Sequence, residues 1–433
     1  MKVAIIGGGL AGIAAAYTLL DDDRVQKVHL FEASGRYGGR ARTDTTSIPG
    51  FAFDMGAQYI QDPTINPLTA IAKELGFTTI EEDAEYKLRV ERDGQWVDRK
   101  TTTRAVQNVV DEIQASYDKA AEKPNVVVAR KPRVDSDPEL FGHATSSFGP
   151  FTESVETWQY IAADRAREKE GDGRNNLFVK EGIGTLVSKY GRKLRERTRY
   201  VERLDACVTK IAHGEERVTV STSSGSETFD ACIVTVPVAV LGSDAIEFHP
   251  LLPESHRTAL NVLRLGSYKK LALRLRTAPP TIQAGTNYYL VNDDPRGVWQ
   301  YYRLPFYPDV LVAHASGEFA RELDQLEDRD VLALFKSAVQ EANDGVHFTT
   351  GKAMTNWSCD PAALGAYSYS AFVGGGPDDR QALNARVLLA EPVGLVHFAG
   401  EATNCDYYGT LQGAYFEGCR AAAEVLIHVN AAS

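Results

Sequence analysis

The feature that most constrains this chain is a glycine-rich turn directly after a short apolar strand. Residues 1–6 read as a buried strand, and the spacing Gly7-x-Gly9-x-x-Gly12 then opens an apolar helix over residues 13–20. In this pattern the first glycine allows a tight turn, the second lets the backbone approach a pyrophosphate, and the third lets the helix pack on the strand. Free N–H groups at the helix N-terminus can bind the phosphates. The pattern predicts a β-α-β unit that binds a nucleotide diphosphate.

An acidic residue at the end of the second predicted strand supports this interpretation. That strand spans residues 25–31 and is followed by Glu32, twenty residues after Gly12. A carboxylate at this position can accept hydrogen bonds from the two hydroxyls of a ribose. The alternative is a glycine-rich turn without a ligand. The ordered succession of strand, turn, helix, strand and acid argues against it.

Length and charge limit the remaining possibilities. A chain of 433 residues is too long for one ordinary hydrophobic core, so we expect two domains. The net charge of −11 argues against a nucleic-acid partner or an anionic membrane surface, since either would need clusters of basic residues. The first strand begins at the N-terminus and leaves no room for a secretory signal, and no apolar run approaches the length of a membrane span. We therefore expect a cytoplasmic protein without a membrane interaction.

The cysteines and histidines give no sign of a metal centre. Five cysteines are scattered without a C-x-x-C pair, and nine histidines do not form the spacing of a metal site. We expect no bound metal and no disulfide framework, which suits a reducing compartment.

Two segments after Glu32 again place glycine where a ligand would approach the backbone. Residues 33–43 contain Gly38-Gly39-Arg40, whose glycines permit close approach and whose arginine suits a diphosphate. Residues 53–60 combine a predicted strand with the pair Gly56-Ala57, against which a flat ring could lie. Both segments predict further contacts with the same ligand.

Taken in order, these segments resemble a known family. Glu32-Ala33, residues 38–43 and Asp54-x-Gly56-Ala57 resemble the FAD-binding signatures of the flavin-containing amine oxidases, which include monoamine, polyamine and L-amino-acid oxidases. Residues 62–76 are similar to the monoamine oxidase branch in particular. Further segments match in family order near the C-terminus: Trp357-x-x-Asp360-Pro361, residues 365–368, residues 398–401 and residues 407–414. The resemblance covers essentially the whole chain, weakly between about residues 85 and 175.

The resemblance implies an α/β fold in which a Rossmann-type FAD-binding domain is interleaved with an α+β substrate domain. The FAD-binding domain would comprise residues 1–79, 177–250 and 389–433. The substrate domain would comprise residues 80–176, which are expected to be helical, and residues 251–388.

Local patterns add expectations for individual elements. Apolar periodicity predicts helices over residues 106–121 and 152–169, and the stretch 124–150 between them is a lid, a channel wall or a surface excursion. β-Branched residues predict strands over residues 201–211, 218–222 and 231–237. Alternating apolar residues predict one strand over residues 264–276.

The predicted cofactor is FAD. One Rossmann turn binds one ADP moiety, and the sequence shows no second such unit for a nicotinamide nucleotide. The other glycine-rich segments are spread along the chain, which indicates a long extended ligand. The predicted cofactor-binding residues are Gly7, Gly9, Leu10, Ala11, Gly12, Glu32, Ala33, Gly39, Arg40, Gly56, Ala57, Gln58, Tyr59, Val208, Trp357, Gly400, Glu401, Thr410 and Leu411.

The resemblance also implies roles for some of these residues. The backbone at Val208 would face the adenine, and Trp357 would support the flavin. Glu401 would lie near the ribityl chain or the diphosphate. A last helix starting at Thr410 would direct its N-terminal N–H groups at the flavin, where a positive helix end stabilises the anionic reduced form.

Lys270 is the first candidate catalytic residue. It lies in residues 266–271, which resemble the family strand whose lysine holds a water against flavin N5, and its charge can also assist the reaction of reduced flavin with oxygen. Three leucines between residues 271 and 275 share one strand face, and Lys270 falls on the other, which favours it over Lys269. The alternative is that either lysine is merely solvated.

Tyr367 is the second candidate catalytic residue. It matches the family's aromatic-cage position beside the flavin, where a tyrosine face can steer an amine. Ala366 stands where monoamine oxidases have the cysteine that bonds the flavin, so we expect non-covalent FAD. Thr410 stands where they have the second cage tyrosine, so the cage is open on one side.

The resulting functional prediction is oxidation of an amine carbon–nitrogen bond to an imine by hydride transfer to FAD, with O2 as acceptor and H2O2 as product. The expected partners are a small-molecule amine and O2, and a homodimer is compatible with the sequence. The alternatives are a flavin-dependent desaturase or oxidative cyclase, an L-amino-acid oxidase, and a flavoprotein without catalytic activity.

Two positions bear on the substrate. Tyr59 stands where L-amino-acid oxidases carry the arginine that clamps a carboxylate, so we expect an amine without a free α-carboxylate. Polyamine oxidases carry a glutamate near the position of Gln61, which disfavours a multiply charged amine, although the adjacent Asp62 weakens that inference.

Overall fold

The protein is built around a five-stranded parallel sheet. The computed structural model describes residues 1–82, 85–92, 95–98, 127–128, 160–161, 175–277, 279–291, 298–371 and 384–432. The strands of this sheet lie in the order Tyr200–Arg203, Lys27–Phe31, Lys2–Ile6, Ala231–Val234 and Val396–Phe398. Distant parts of the chain therefore meet in one sheet, as a Rossmann-type unit requires.

The first β-α-β unit forms as the glycine spacing predicts. The strand Lys2–Ile6 leads into the helix Leu10–Leu20, which begins three residues earlier than the apolar run indicated. This helix packs against the last helix, Leu411–Ala432, and Gly418 permits the contact, because a Cβ there would lie 2.1 Å from the carbonyl oxygen of Ala11. Both helices cover one face of the parallel sheet.

A four-stranded sheet covers the other face of the parallel sheet. Its strands lie in the order Gly225–Phe229, Val218–Thr222, Val208–His213 and Glu247–His249. Buried side chains such as Ile211 and Val220 pack there against Ile6 and Val234 of the parallel sheet. The parallel sheet is thus enclosed on both faces, which fits its continuous apolar strands.

The second large element is a seven-stranded sheet. Its strands lie in the order Phe348–Met354, Tyr268–Leu275, Tyr307–Ser316, Val298–Leu304, Thr286–Val291, Glu85–Arg92 and Gln95–Asp98. One face packs on the helices Gly317–Leu323 and Asp328–Ala342 through residues such as Leu273 and Tyr301. The opposite face packs on Phe53 and Phe178 and reaches the cavity described below.

Smaller elements complete the described part of the chain. The remaining strands are Thr43–Asp44 with Phe53–Asp54, Tyr59–Ile60 and Thr79–Glu81 on either side of Leu177–Val179, Leu263–Leu265 with Ser368–Ser370, and Val127–Val128 with Tyr160–Ile161. The remaining α-helices are Pro67–Glu74, Ile183–Arg192, Val238–Leu241, Glu254–Val262 and Ala385–Ala390. Among described residues, no helix is long and apolar enough to cross a membrane.

Two predicted strands are wrong as single elements. The segment 201–211 divides into Tyr200–Arg203 in the parallel sheet and Val208–His213 in the four-stranded sheet, with Asp205 at a positive φ of 52° between them. The segment 264–276 divides into Leu263–Leu265 and Tyr268–Leu275. In both cases a short turn moves the chain to another sheet.

Three expectations lie wholly or mostly outside the described residues: the helix over residues 106–121, most of the helix over residues 152–169, and the stretch 124–150 apart from Val127–Val128. The predicted helix 152–169 is wrong at Tyr160–Ile161, where the backbone pairs with Val127–Val128 as a strand. Within the predicted helical part, Glu85–Arg92 and Gln95–Asp98 are strands of the seven-stranded sheet.

Candidate active site

One cavity joins the glycine-rich turn to the seven-stranded sheet. It has a volume of about 580 Å³. Glu32 and Val208 line one part of it, and Lys270 and Tyr367 line another. Every predicted site residue lines this cavity except Gly12. The structure thus brings together residues that lie up to four hundred positions apart.

Gly9 and Gly12 differ in what surrounds them. A Cβ on Gly9, which lines the cavity, would have no atom of a described residue within 4 Å. A Cβ on Gly12 would lie 2.0 Å from the carbonyl oxygen of Gly7. Gly12 therefore allows the helix to pack on the turn, whereas Gly9 leaves open the space in which a diphosphate would approach the backbone.

Glu32 is buried at the end of its strand and already holds part of the site together. Its Oε2 accepts a 2.7 Å hydrogen bond from the N–H of Gly8. Its Oε1 accepts from the N–H and the hydroxyl of Ser34, at 2.8 and 2.7 Å. A carboxylate has about four lone-pair positions, so Glu32 keeps acceptor capacity towards the cavity that it lines.

Glu401 is the centre of a second buried cluster. Its Oε1 accepts from Arg40 Nη1 at 2.7 Å, and its Oε2 accepts from the hydroxyl of Ser368 at 2.5 Å and from the N–H of Gly409 at 2.9 Å. Arg40, Ser368 and Arg386 together hold the pKa of Glu401 below its usual value despite burial. Arg386 also donates to the Ser368 hydroxyl at 2.8 Å. Glu401 is therefore an ionised carboxylate that orders the cavity wall.

The last helix begins at the cavity, one residue later than predicted. Thr410 caps it, since its Oγ1 accepts a 3.0 Å hydrogen bond from the N–H of Gly413. Thr410 and Leu411 both line the cavity. The positive end of the helix is thereby directed at the space that an extended ligand would occupy.

Tyr367 lies beside the turn that precedes this helix. A Cβ on Gly409 would lie 3.0 Å from Tyr367 Cδ2, so only glycine lets the ring pack this closely. The preceding Ala366 lines the cavity and presents a methyl group with no sulfur. Trp357, which also lines the cavity, is fixed by a 2.9 Å hydrogen bond from its Nε1 to the carbonyl oxygen of Met55.

Lys270 is 2% exposed, which excludes the solvated alternative. Its Nζ donates to the carbonyl oxygens of Asp54 at 2.5 Å and Gly56 at 3.2 Å, and to Gln58 Oε1 at 2.8 Å. Burial lowers the pKa of Lys270 to about 8, and the nearby carboxyl of Asp54 opposes this shift. Lys270 is thus held by neutral acceptors of one loop at the cavity wall.

Lys269 points the other way, as the strand alternation predicted. Its Nζ forms a 2.9 Å ion pair with Asp324, and both side chains are almost fully buried. Lys269 does not line the cavity. Its charge connects the seven-stranded sheet to the helix Gly317–Leu323, which ends beside Asp324.

Sequence reasoning missed two residues on the same sheet face as Lys270. His314 lies directly opposite Lys270 on the neighbouring strand, and it lines the cavity. The Tyr302 hydroxyl donates to Gln58 Oε1 at 2.7 Å and lies 3.1 Å from His314 Nε2. Alternation along residues 298–304 and 307–316 would have placed both on one face, but their strand partners were not predicted.

Asp54 was quoted only as part of a signature, yet it fixes the loop that holds Lys270. Its carboxylate accepts from the Thr43 hydroxyl at 2.6 Å and from the N–H groups of Ile183 and Gly184 at 3.1 and 3.3 Å. It therefore caps the helix Ile183–Arg192. Burial raises its pKa to about 6.

The charges around the cavity are unevenly distributed. Its described arginines are Arg36, Arg40 and Arg42, all in the segment that follows Glu32. Tyr59 is partly buried and lines the cavity, and burial raises the pKa of its phenol well above the ordinary value. Within the described ranges, no group of three or more His, Cys, Asp or Glu residues could hold a metal ion.

Comparison with known proteins identifies the family. A family model for the flavin-containing amine oxidoreductases matches residues 10–170 and 136–426. The chain belongs to this family. The resemblance in the sequence is thus confirmed, and the protein is a flavin-dependent amine oxidoreductase.

Related proteins match across nearly the whole chain. Probable polyamine oxidase 4 of Arabidopsis thaliana is 29% identical over 452 residues, covering 97% of this chain and 86% of that protein. Lysine-specific histone demethylase 1B of Mus musculus is 26% identical over 459 residues, covering 98% of this chain and 52% of that protein.

Solved structures confirm the fold. Cyclohexylamine oxidase from Brevibacterium oxydans IH-35A superposes with a TM-score of 0.80 at 19% identity, and 99% of each chain is covered. Putrescine oxidase bound to putrescine gives a TM-score of 0.74 at 20% identity, again with 99% of each chain covered. The predicted amine oxidase fold is therefore correct.

The cavity fits an extended flavin nucleotide. The open space at Gly9 suits a diphosphate, and Glu32 keeps acceptor capacity for ribose hydroxyls. The N-terminus of the last helix lies at the same cavity as Lys270. The residue roles assigned from the sequence remain predictions, and the geometry is compatible with them.

Proposed function

We propose that the protein oxidises the carbon–nitrogen bond of an amine without a free α-carboxylate to an imine. The cofactor would be non-covalently bound FAD, which accepts a hydride when bound. O2 would reoxidise the flavin and yield H2O2. The single observation that carries this proposal is the buried Lys270 at the cavity wall, held by the loop of Asp54, Gly56 and Gln58.

The proposed roles follow from the contacts of each residue. Gly9 and Arg40 would hold the diphosphate side of the cofactor, and Glu32 would accept hydrogen bonds from its ribose. The N-terminus of the last helix favours negative charge on the flavin ring. Lys270, whose three N–H groups are held by Asp54, Gly56 and Gln58, would supply a positive charge where oxygen reacts. Tyr367 offers its ring face to the amine.

The absence of a carboxylate clamp supports the proposed substrate class. No described arginine other than Arg36, Arg40 and Arg42 lines the cavity, and all three come from the segment next to the glycine-rich turn. Tyr59 can offer one neutral hydrogen bond where a clamp needs two charged ones. A desolvated carboxylate without its cation would bind poorly, which disfavours an L-amino-acid oxidase.

A polyamine is the second candidate substrate, because the related proteins carry polyamine oxidase names across nearly the whole chain. A multiply charged amine needs acidic partners along its length. Asp62 is one candidate, but its Oδ2 already accepts from Gln412 Nε2 at 3.2 Å. We therefore favour an amine with a single charge.

The test is a panel of amines offered to the protein under anaerobic conditions, read by loss of flavin absorbance. The panel contains cyclohexylamine, 2-phenylethylamine, putrescine and spermidine. We expect a monoamine to bleach the flavin fastest and to release H2O2 and imine-derived carbonyl once air is admitted. Fastest bleaching by spermidine would favour the polyamine. No bleaching, or bleaching without H2O2 in air, would favour a desaturase or a non-catalytic flavoprotein.

A further inference from the structure

The polar side chains beside Lys270 form one continuous hydrogen-bond series. Gln58 Oε1 accepts from Lys270 Nζ at 2.8 Å and from the Tyr302 hydroxyl at 2.7 Å. The Tyr302 oxygen lies 3.1 Å from His314 Nε2, and the Tyr268 hydroxyl lies 2.7 Å from His314 Nδ1. The series therefore runs from Lys270 through Gln58, Tyr302 and His314 to Tyr268.

The sheet explains why these groups meet. Tyr268 and Lys270 are two residues apart on one strand, so their side chains share a face. His314 pairs directly with Lys270 on the adjacent strand, and Tyr302 lies on the strand beyond. Tyr268, Lys270 and His314 all line the cavity.

Each bond in the series has only one possible direction. An ammonium group can only donate, so Lys270 requires the oxygen of the Gln58 amide to face it. Tyr302 has one hydroxyl proton and donates it to the same Gln58 oxygen. His314 must then donate from Nε2 to the Tyr302 oxygen. A neutral imidazole carries one N–H, so Nδ1 is an acceptor and the Tyr268 hydroxyl donates to it.

His314 is held in this neutral form. It is buried, and both burial and the positive charge of Lys270 keep its pKa well below the ordinary value. Burial also raises the pKa values of Tyr268 and Tyr302, so both phenols remain protonated. The direction of the series is therefore stable over the working pH range.

We propose that the Tyr268 hydroxyl is the hydrogen-bond acceptor that positions the nitrogen of the amine substrate, and that His314 is the positioning residue that keeps this hydroxyl accepting. The proton of the hydroxyl is committed to His314 Nδ1. Towards any partner in the cavity, the Tyr268 oxygen therefore acts as an acceptor. It suits the N–H of an amine and repels the oxygens of a carboxylate. The proposal rests on the amine oxidase function proposed above and adds a determinant of its substrate class.

The buried amide of Gln58 supports the fixed direction. Among the described residues its Nε2 has no hydrogen-bond partner, although Gln58 is only 9% exposed, and Gln58 lines the cavity. Rotating the amide would satisfy neither neighbour, because Lys270 and Tyr302 both need an acceptor there. The orientation is kept at the expense of an unpaired donor, which a bound ligand could satisfy.

The test compares an amine with the carboxylate of the same hydrocarbon. The probes are cyclohexylamine with cyclohexanecarboxylate and benzylamine with phenylacetate. The dissociation constant of the amine comes from the concentration dependence of anaerobic flavin reduction, which separates binding from the reduction rate. The carboxylate constant comes from competition with the same amine. The readout is the ratio of the two constants.

Tyr268→Phe should weaken amine binding about 10- to 100-fold, the range for a hydrogen bond to a charged group. It should leave the FAD affinity near the wild-type value, and the carboxylate should bind as tightly as to the wild type or more tightly, because the oxygen that repels it is gone. His314→Leu removes the acceptor that holds the Tyr268 proton, so the hydroxyl is no longer fixed as an acceptor towards the cavity; amine binding should weaken while carboxylate binding tightens. His314→Asn keeps an acceptor oxygen near the position of Nδ1 and should restore the preference for the amine in part.

The matched control is Tyr301→Phe, which removes a buried phenolic hydroxyl on the opposite face of the same sheet. The Tyr301 hydroxyl accepts from Asn343 Nδ2 at 3.1 Å and does not line the cavity. In the Tyr301→Phe variant, the ratio of the amine and carboxylate dissociation constants should equal the wild-type ratio. If His314→Leu fails to fold, Tyr302→Phe tests the same step, since it releases the fixed tautomer of His314 and should shift the ratio in the same direction.

The outcomes separate this inference from the function on which it rests. If amines reduce the flavin but Tyr268→Phe and the His314 variants leave the ratio of constants unchanged, the inference is wrong and the function stands. If no amine of the wider panel reduces the wild-type flavin, the function itself fails. A shift of the ratio in Tyr301→Phe as large as in Tyr268→Phe would also overturn the inference.

Discussion

Gly9→Ala should weaken FAD binding without damaging the fold. Gly9 has a φ of −73°, which alanine adopts freely, and the added Cβ would meet no atom within 4 Å in the described part of the chain. Replacing glycine by alanine at such a position stabilises a protein by about 0.4–1 kcal/mol, because it lowers the conformational entropy of the unfolded chain. The free energy of unfolding should therefore be equal to that of the wild type or slightly higher.

The same methyl group would occupy the space through which a diphosphate reaches the backbone N–H groups. Losing one charged hydrogen bond there costs about 1.5–3 kcal/mol, which corresponds to a dissociation constant about 10- to 100-fold higher. Flavin fluorescence quenching on titration of the flavin-free protein measures this constant. Urea unfolding of the same sample measures stability.

Gly12→Ala is the matched control from the same turn. Its Cβ would lie 2.0 Å from the oxygen of Gly7 and 3.1 Å from Thr235 Oγ1, so the helix must move. This variant should lose both stability and FAD affinity. Wild-type FAD affinity in Gly9→Ala would refute the assignment of the diphosphate site. A loss of stability equal to that of Gly12→Ala would refute the description of the turn.

Three further predictions concern the cofactor and its surroundings. Acid precipitation should leave the flavin in the supernatant, because Ala366 offers no sulfur for a covalent bond; flavin in the pellet would contradict this. Lys270→Met should slow stopped-flow reoxidation by O2 far more than it weakens FAD binding. Burial lowers the pKa of Lys270 to about 8, and the negative charge of the reduced flavin would raise that pKa again. The wild-type reoxidation rate should therefore fall only as the pH rises above about 8. An unchanged reoxidation rate in Lys270→Met would show that Lys270 has no role in this step. Burial raises the pKa of Asp54 to about 6, above its unfolded value of 3.8, so the folded protein keeps a proton there that the unfolded chain releases. The free energy of unfolding of the flavin-free protein should therefore lose up to about 3 kcal/mol between pH 4 and 6 through this group, and Asp54→Asn should reduce that slope in urea titrations.

The parts of the site that follow from local patterns were predictable. Strand alternation alone separated Lys270 from Lys269. In the structure Lys270 lies at the cavity wall, and Lys269 forms an ion pair with Asp324. The glycine spacing likewise predicted the first β-α-β unit. In both cases the information lies within a few neighbouring residues and depends on a fixed geometric period.

The parts that depend on distant pairing were not predictable. The series from Lys270 to Tyr268 needs Gln58, which lies more than two hundred residues away, and it needs the register of three strands. No periodicity in a single segment encodes that register. The single strand predicted over residues 201–211 failed for a local reason at Asp205. Aspartate tolerates the positive φ at which the chain leaves one sheet for another, so this turn contains no glycine or proline to mark it.

The most direct test of the account compares amino acids with their decarboxylated amines. L-Phenylalanine and 2-phenylethylamine, or L-leucine and 3-methylbutylamine, share a side chain and differ only in the α-carboxylate. Anaerobic stopped-flow reduction of the flavin by each pair gives the rate and the dissociation constant. We expect the amine to reduce the flavin much faster, because the cavity offers Tyr59 where a carboxylate needs an arginine, and its described arginines, Arg36, Arg40 and Arg42, all come from the segment that follows Glu32. Faster reduction by the amino acids would contradict it.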